Sequence, residues 1–149
     1  MDRDSATKPA RQALIEQPQA NLPDRPVVVS VCITCKAADG AAVVGPEMYA
    51  AVQAAIGKDA NIAVRPVQCL SVCKRPATVA VTSPDGYTFM FGDLQTESGA
   101  AALVSFVQSY QKSDFGLVPW RERAEVLRKG MVARVPPIRW SPDDGRAPK

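Results

Sequence analysis

The chain has 149 residues, of which 46% are hydrophobic and 22% are charged, and its net charge is +3. This composition is ordinary for a soluble globular protein, and the length predicts one domain with residues to spare for tails. Histidine is absent, which excludes mixed Cys–His zinc fingers, Rieske clusters and Cys–His nucleophiles. No apolar run approaches the roughly 20 residues that span a bilayer, and the polar N-terminus lacks the apolar core of a secretory signal. We therefore expect a cytoplasmic protein that makes no membrane contact.

The first half of the chain predicts a strand, a helix and a second strand. Residues 1–26 show no hydrophobic periodicity and are predicted to form a flexible N-terminal arm. The β-branched run Val27–Val31 is typical of a strand buried on both faces. A helix is predicted to begin at Gly45, because proline follows at the first helical position, and to stop at Gly57. The segment Asn61–Val67 predicts the second strand.

The next segment predicts a hairpin and a final core helix. Two strands, Ala77–Thr82 and Tyr87–Phe91, flank a turn at Ser83–Gly86. We expect Thr96 to cap a helix with one buried face. That face comprises Leu103, Phe106, Val107 and Tyr110. The order β-α-β-β-β-α over residues 27–112 predicts a two-layer α/β fold with a mixed sheet, thioredoxin-like in layout.

Residues 113–149 are predicted to form a basic C-terminal extension of this domain. Residues 1–120 are nearly neutral, whereas 121–149 carry an excess of Lys and Arg. A short amphipathic helix is expected over Pro119–Gly130, with one face that packs and one that stays basic, followed by an extended segment at 133–137. We expect Trp120 and Trp140 to anchor this extension on the domain rather than to stack on bases, so nucleic-acid binding is not expected. The basic face is a candidate for docking an acidic redox partner or a second copy of the chain; alternatively, the helix covers a sheet edge.

All four cysteines fall in two tight pairs, Cys32-Ile-Thr-Cys35 and Cys69-Leu-Ser-Val-Cys73. Each pair comes where a predicted strand ends, so the two loops can converge at one end of the sheet. Four thiolates around one point hold a structural zinc ion or an iron–sulfur cluster. Disulfide frameworks are rare in the cytosol, where paired cysteines usually bind metal or do redox work.

Three functions are compatible with these cysteines. The first is an electron carrier that holds one [2Fe–2S] cluster through all four. The second is a structural zinc module with the same ligands, although the wider Cys69–Cys73 spacing fits zinc knuckles poorly. The third is a thiol–disulfide oxidoreductase that uses Cys32 and Cys35, which leaves the second pair without a role. The sequence contains no evident phosphate-cradling glycine loop or paired-carboxylate site, so we do not predict an enzyme.

Three cations lie within two residues of a cysteine: Lys36, Lys74 and Arg75. A four-thiolate [2Fe–2S] centre carries negative charge, which nearby cations and backbone amides offset. These side chains have either that role or the simpler one of solvating exposed loops.

The segment Val67–Val81 resembles the second cysteine half of the thioredoxin-like [2Fe–2S] ferredoxins and of the small iron–sulfur subunit of respiratory complex I. Those proteins carry a Cys-Leu-Gly-x-Cys loop and then a proline just before a β-branched strand. The resemblance covers residues 27–112 and implies that Cys32 and Cys35 hold one iron and Cys69 and Cys73 the other. It also implies electron transfer, and similar ferredoxins are dimers. This sequence departs from them in the narrower spacing of its first pair and in having Ser71 where glycine is common.

Over the whole chain, the sequence is similar to a family of short bacterial proteins described only as predicted metal-binding, with unassigned function. Their C-terminal part resembles residues 116–123 followed by 134–137. Members of that family often occur beside cobalamin-synthesis genes, which indicates a metabolic setting without defining the chemistry.

Overall fold

The computed structural model describes residues 26–36, 42–56, 59 and 61–138. In chain order the elements are β1 (Val27–Cys32), α1 (Gly45–Ile56), β2 (Ile62–Val67), β3 (Val79–Thr82), β4 (Thr88–Phe91), α2 (Thr96–Lys112), α3 (Glu125–Lys129) and β5 (Met131–Val135). Two short 3-10 turns, at Asp114–Gly116 and Trp120–Glu122, lie between α2 and α3. Most of the predicted arm, the stop at Gly57 and the anchor at Trp140 lie outside the described residues.

The five strands form one mixed sheet in the order β2-β1-β3-β4-β5. Strand β1 runs parallel to β2, and the other neighbouring pairs are antiparallel. The connection from β1 through α1 to β2 is the crossover that parallel strands require. Helices α1 and α2 pack on each other, and α1 also contacts β1 and β2, so helices and sheet form two layers. The predicted fold class, a thioredoxin-like two-layer α/β arrangement with a mixed sheet, is confirmed.

The core lies between the sheet and these helices. The alternating residues Val27, Val29 and Val31 of β1 are almost fully buried. An aromatic cluster fills the other half of the core, and it comprises Phe89, Phe91, Phe106 and Tyr110. The predicted buried face of α2 is confirmed, because Leu103, Phe106, Val107 and Tyr110 are all at most 1% exposed.

Two sequence-based expectations at helix ends are wrong. The N-cap of α2 is Gln95, whose extended backbone precedes the helix and whose side chain makes no cap hydrogen bond. Thr96 is already the first helical residue, so its hydroxyl is one position too late to cap. The continuous helix expected over Pro119–Gly130 is interrupted, because Arg123 and Ala124 adopt extended backbone between the 3-10 turn and α3.

The C-terminal extension packs differently from the expectation. Strand β5 pairs with β4 and adds a fifth strand to the sheet, where the sequence indicated only an extended segment. Trp120 is 55% exposed rather than an anchor, and the interior position belongs to Arg123, which is 7% exposed. The Arg123 guanidinium lies between the rings of Phe89 and Trp120 and donates two hydrogen bonds to the Val118 carbonyl. The domain boundaries at residues 26 and 112 stay a prediction.

Within the described residues, no helix combines the length and the apolar character needed to cross a membrane.

Candidate metal centre

The two cysteine loops leave the sheet at the same end, where strands β1 and β2 finish side by side. Strand β1 ends at Cys32, which lies opposite Val67, the last residue of the parallel strand β2. Parallel strands point in one direction, so the loops that follow them begin side by side. Cys69 comes two residues after Val67, and the expected convergence of the two loops at one end of the sheet is observed.

The first pair is buried beneath the N-terminus of α1. Cys32 is 2% and Cys35 6% exposed. The backbone amides of Val44 and Gly45 donate to the Cys35 carbonyl at 2.8 and 3.2 Å, which ties the start of α1 to this loop. A Cβ atom on Gly45 would lie 2.5 Å from the Cys32 carbonyl oxygen, so only glycine permits this close approach.

The second pair lies on an exposed loop with one left-handed residue. Cys69 and Cys73 are both exposed. Between them Ser71 has a φ of 60°, the region that glycine adopts most easily. In this conformation the Ser71 amide donates to the Cys69 sulfur at 3.1 Å. Ser71 adopts this left-handed conformation at a cost of about 1–2 kcal/mol.

Contacts around Cys32 join the two loops. The Cys32 thiol donates to the Gln68 carbonyl over 3.9 Å, and Gln68 directly precedes Cys69. Thr34 bridges the same two groups, because its hydroxyl lies 3.5 Å from the Cys32 sulfur and also donates to the Gln68 carbonyl. The Leu70 backbone is a further hydrogen-bond partner of Cys32.

The structure brings Cys32 and Cys35 together, since their side chains are hydrogen-bonded, and sets the loop of Cys69 against them. Within the part of the chain that the structure describes, no three His, Cys, Asp or Glu side chains converge closely enough to hold a metal ion. The assignment of all four cysteines as ligands of one centre stays a prediction.

The two buried thiols have opposite pKa shifts, and their interaction with each other lowers the pKa of Cys32 and raises that of Cys35. Burial acts to raise the pKa of Cys32, but its hydrogen bonds with Thr34, Cys35 and the Leu70 backbone outweigh burial, and the pKa is lowered. Burial is the main cause for Cys35 too, and there it prevails over the hydrogen bond with Thr78, so the pKa is raised. The loop thus holds one thiol that ionises readily beside one that resists ionisation.

Sequence reasoning missed the polar groups that support the cysteines. The Thr78 hydroxyl, fully buried, accepts from the Cys35 thiol at 3.6 Å. Thr34 was detectable in principle, because it lies between two cysteines, whereas Thr78 is 43 residues from Cys35 and only the fold brings them together. Of the three cations near the cysteines, Lys36 and Lys74 are exposed, and Arg75 is bound to other groups described below.

Comparison with known proteins identifies a family. A family model described as "Protein of unknown function (DUF1636)" matches residues 29–137, which is most of the chain. The chain belongs to this family. The expected membership in a family of unassigned function is therefore confirmed, and no curated protein matches the sequence.

Two solved structures are similar to this one, and both are of a thioredoxin-like [2Fe–2S] ferredoxin from Aquifex aeolicus. The first is 18% identical, covers 78% of this chain and 99% of its own, and has a TM-score of 0.49. The second, a 1.5 Å crystal structure of the wild-type protein, is 17% identical, covers 73% and 98%, and has a TM-score of 0.47. At this level of similarity the likeness carries no functional argument.

Proposed function

We propose that this protein binds one [2Fe–2S] cluster through Cys32, Cys35, Cys69 and Cys73 and acts as an electron carrier. The observation that supports this most is the meeting of the two cysteine loops. The Cys32 thiol donates to the carbonyl of Gln68, the residue that directly precedes Cys69, so the buried pair is in contact with the second cysteine loop. Four thiols in a chain without histidine fit an iron–sulfur centre.

A bound [2Fe–2S] cluster supplies a site that accepts and releases one electron. The residues of the chain hold it and set its charge. The Ser71 amide donates to the Cys69 sulfur, and the hydroxyls of Thr34 and Thr78 lie beside the sulfurs of Cys32 and Cys35. Hydrogen bonds to sulfur stabilise negative charge and are one of the means by which proteins set cluster potentials.

Thr78 would have to reverse its hydrogen bond when Cys35 becomes a thiolate. In the thiol form Cys35 donates to the Thr78 oxygen, and the Thr78 hydroxyl donates to the Arg75 carbonyl at 3.3 Å. A thiolate has no proton to give, so the hydroxyl turns toward the sulfur. The Arg75 carbonyl remains paired, because the Asp93 amide also donates to it at 3.0 Å.

The exposed pair gives the centre its access to solvent. Cys69 and Cys73 lie at the surface, whereas Cys32 and Cys35 are buried beneath α1. Binding of a cluster would order the exposed loop against the buried pair, so part of the binding free energy appears as stability of the folded chain. Electrons would enter and leave on the side of the exposed loop.

The contrast between Cys32 and Cys35 favours a second candidate, a thiol–disulfide oxidoreductase. A lowered pKa on one thiol of a Cys-x-x-Cys pair is the usual condition for thiolate chemistry. However, reactive thiols are normally accessible, and Cys32 is only 2% exposed. Its burial ranks this candidate below the cluster carrier.

Metal analysis and the visible spectrum of anaerobically purified protein test the proposal. We expect iron and acid-labile sulfide, with the charge-transfer bands of a [2Fe–2S] centre. Zinc without colour would favour the structural zinc module with the same four ligands. Metal-free protein with a Cys32–Cys35 disulfide that exchanges with dithiol substrates would favour the oxidoreductase.

A ligand substitution with a matched control sharpens the test. Cys73→Ser is expected to remove most of the visible absorbance and to lower the melting temperature, because cluster binding and folding are coupled. Ser71→Ala keeps the backbone amide that faces Cys69, so we expect it to retain the spectrum. A Cys73→Ser protein with the full spectrum and melting temperature would show that Cys73 is not a ligand.

A further inference from the structure

Arg75 lies where the second cysteine loop meets the C-terminal segment. It follows Cys73 by two residues, and its amide donates to the Val72 carbonyl at 3.0 Å, which closes the loop on itself. Its carbonyl accepts from the Asp93 amide at 3.0 Å. A Cβ atom on Gly92 would lie 2.5 Å from that carbonyl oxygen, so the turn after β4 packs directly on the Arg75 backbone.

The Arg75 side chain binds three groups at once. Its Nε donates to Asp93 Oδ2 at 2.8 Å, and its two terminal nitrogens donate to the carbonyls of Met131 at 3.0 Å and Lys129 at 2.9 Å. Those carbonyls belong to the last residue of α3 and the first of β5. Carbonyls at a helix C-terminus lack helical partners, and a guanidinium satisfies them. A lysine cannot replace this planar fork with one ammonium group.

The same residue is also connected to the first cysteine pair. The Thr78 hydroxyl donates to the Arg75 carbonyl and accepts from the Cys35 thiol, and Thr78 is fully buried. Arg75 is therefore joined to Cys73 along the chain and to α3 and β5 through its side chain, and while Cys35 is a thiol it is also joined to Cys35 through one hydroxyl.

We propose that Arg75 is a positioning residue that holds the Cys69–Cys73 loop against the buried pair by anchoring it to residues 129–131. The C-terminal segment is then a structural part of the metal centre. This inference rests on the proposed metal site, but it applies whether the four thiols hold iron or zinc.

Geometry rather than charge carries this role. The Arg75 charge is opposed by the Asp93 carboxylate at 2.8 Å, so little of it remains to offset the charge of four thiolates. Lys74 offers an exposed cation one residue nearer to Cys73 and is the matched control for charge.

The test compares Arg75→Lys, Arg75→Gln and Lys74→Gln in the full chain, loaded with the metal that the wild type binds. We measure the rate of metal loss to a chelator and, for the cluster, the electron paramagnetic resonance line shape and the reduction potential. Removal of an outer-shell group typically weakens metal binding about 10–100-fold. We expect both Arg75 variants to release metal about that much faster with a broadened resonance, and Lys74→Gln to match the wild type.

Rescue by Arg75→Lys, with loss only in Arg75→Gln, would show that charge is what matters and would overturn the inference. Wild-type behaviour in both variants would overturn it too. If the wild type binds iron–sulfur or zinc and both Arg75 variants match it, the proposed metal site survives while the positioning role fails. If the wild type binds no metal, both fail.

Asp93→Asn covers the case in which neither Arg75 variant folds. It removes the opposing charge and leaves the hydrogen bonds from Arg75 to the carbonyls of Lys129 and Met131. The positioning role predicts an unchanged resonance line shape and metal-loss rate. A raised reduction potential in Asp93→Asn, combined with a wild-type rate of metal loss in Lys74→Gln, would show that the Arg75 charge acts on the centre. That result would overturn the inference.

Discussion

At the scale of single residues, each of the two buried thiols has a threonine hydroxyl beside it. Thr34 lies beside Cys32, and its hydrogen bond acts together with Cys35 and the Leu70 backbone to outweigh the effect of burial on the pKa of that thiol. Thr78 makes the corresponding contact with Cys35, where burial prevails. The lowered pKa means that the Cys32 thiol becomes a thiolate more readily than an ordinary thiol.

The thiolate titration of metal-free protein tests this arrangement. Because the pKa of Cys32 is lowered, its thiolate should form at a lower pH than an ordinary thiol, and Cys32→Ser should remove that first step from the ultraviolet titration. Thr34→Val should move the step to higher pH, since it removes the hydroxyl and leaves burial to act. Thr34→Ser keeps the hydroxyl and should leave the step in place. Equal titrations for the wild type, Thr34→Val and Thr34→Ser would contradict a role of the Thr34 hydroxyl in lowering the pKa of Cys32.

At the scale of secondary-structure elements, the close approach of α1 to the first cysteine loop depends on Gly45. A glycine in a helix normally gains about 0.5–1 kcal/mol of stability on substitution by alanine. Here the added Cβ would meet the backbone of Cys32 and Ile33, which cannot move without displacing the ligand loop. We therefore expect Gly45→Ala to destabilise the protein rather than to stabilise it.

Denaturant unfolding of Gly45→Ala and Gly99→Ala gives the change in the free energy of unfolding for each substitution. Overpacking against backbone typically costs about 1–3 kcal/mol, so we expect Gly45→Ala to be destabilised by that amount and to bind less metal. Gly99 lies in α2, and its Cβ would approach the Leu94 Cβ and the Met48 terminal methyl, each at 3.2 Å, which is a tight contact but not a clash with backbone. Gly99→Ala should be nearly neutral; a stabilised Gly45→Ala would show that α1 can move away from the cysteine loop.

The elements that the sequence predicted correctly are those with local causes. Proline after Gly45 marks the start of α1, and the β-branched run of β1 marks its buried strand. Errors arose where long-range packing decides. Trp120 has the apolar surface of an anchor, yet Arg123 lies inside because it satisfies the Val118 carbonyl and lies against the Phe89 ring.

The candidate site likewise has features with local causes, which the sequence predicts, and features that only long-range packing determines. The spacing of the four cysteines predicted that their two loops meet, and they do so because the loops follow neighbouring parallel strands, while the ligand assignment stays a prediction. The left-handed conformation at Ser71 was indicated only by the glycine of similar loops. The connection from Arg75 to Lys129 and Met131 spans more than fifty residues, and no local pattern encodes a hydrogen bond to a backbone carbonyl at that distance.

At the scale of the whole molecule, the C-terminal segment is joined to the sheet, the core and the candidate site. Strand β5 pairs with β4, and the side chains of Val118 and Leu127 are at most 1% exposed. Gly92 and Gly130 approach closely, with the Gly92 amide donating to the Gly130 carbonyl at 2.7 Å. Docking of an acidic redox partner or of a second copy on the basic face of this segment stays a prediction.

Deletion of residues 117–149 separates a docking role from a folding role. It removes β5, uncovers one edge of β4, and exposes the core that Val118 and Leu127 cover. Full burial of two such side chains is worth about 3–6 kcal/mol, comparable with the whole stability of a small domain, about 5–15 kcal/mol. The deletion also takes away both carbonyl partners of Arg75, so we expect insoluble or unfolded material that does not hold metal.

Circular dichroism, melting temperature and metal content of the truncated chain give the readout, with Trp120→Ala in the full chain as the control. Trp120 is largely exposed, so its removal should leave folding and metal content intact. A truncated protein that stays folded and coloured, with slower and less salt-dependent electron transfer, would mean that the segment serves docking alone. In that case the two hydrogen bonds from the Arg75 side chain to the carbonyls of Lys129 and Met131 would contribute little to the centre. Loss of fold on truncation, together with an intact Trp120→Ala protein, would instead establish that residues 117–149 are part of the fold that holds the cysteine loops.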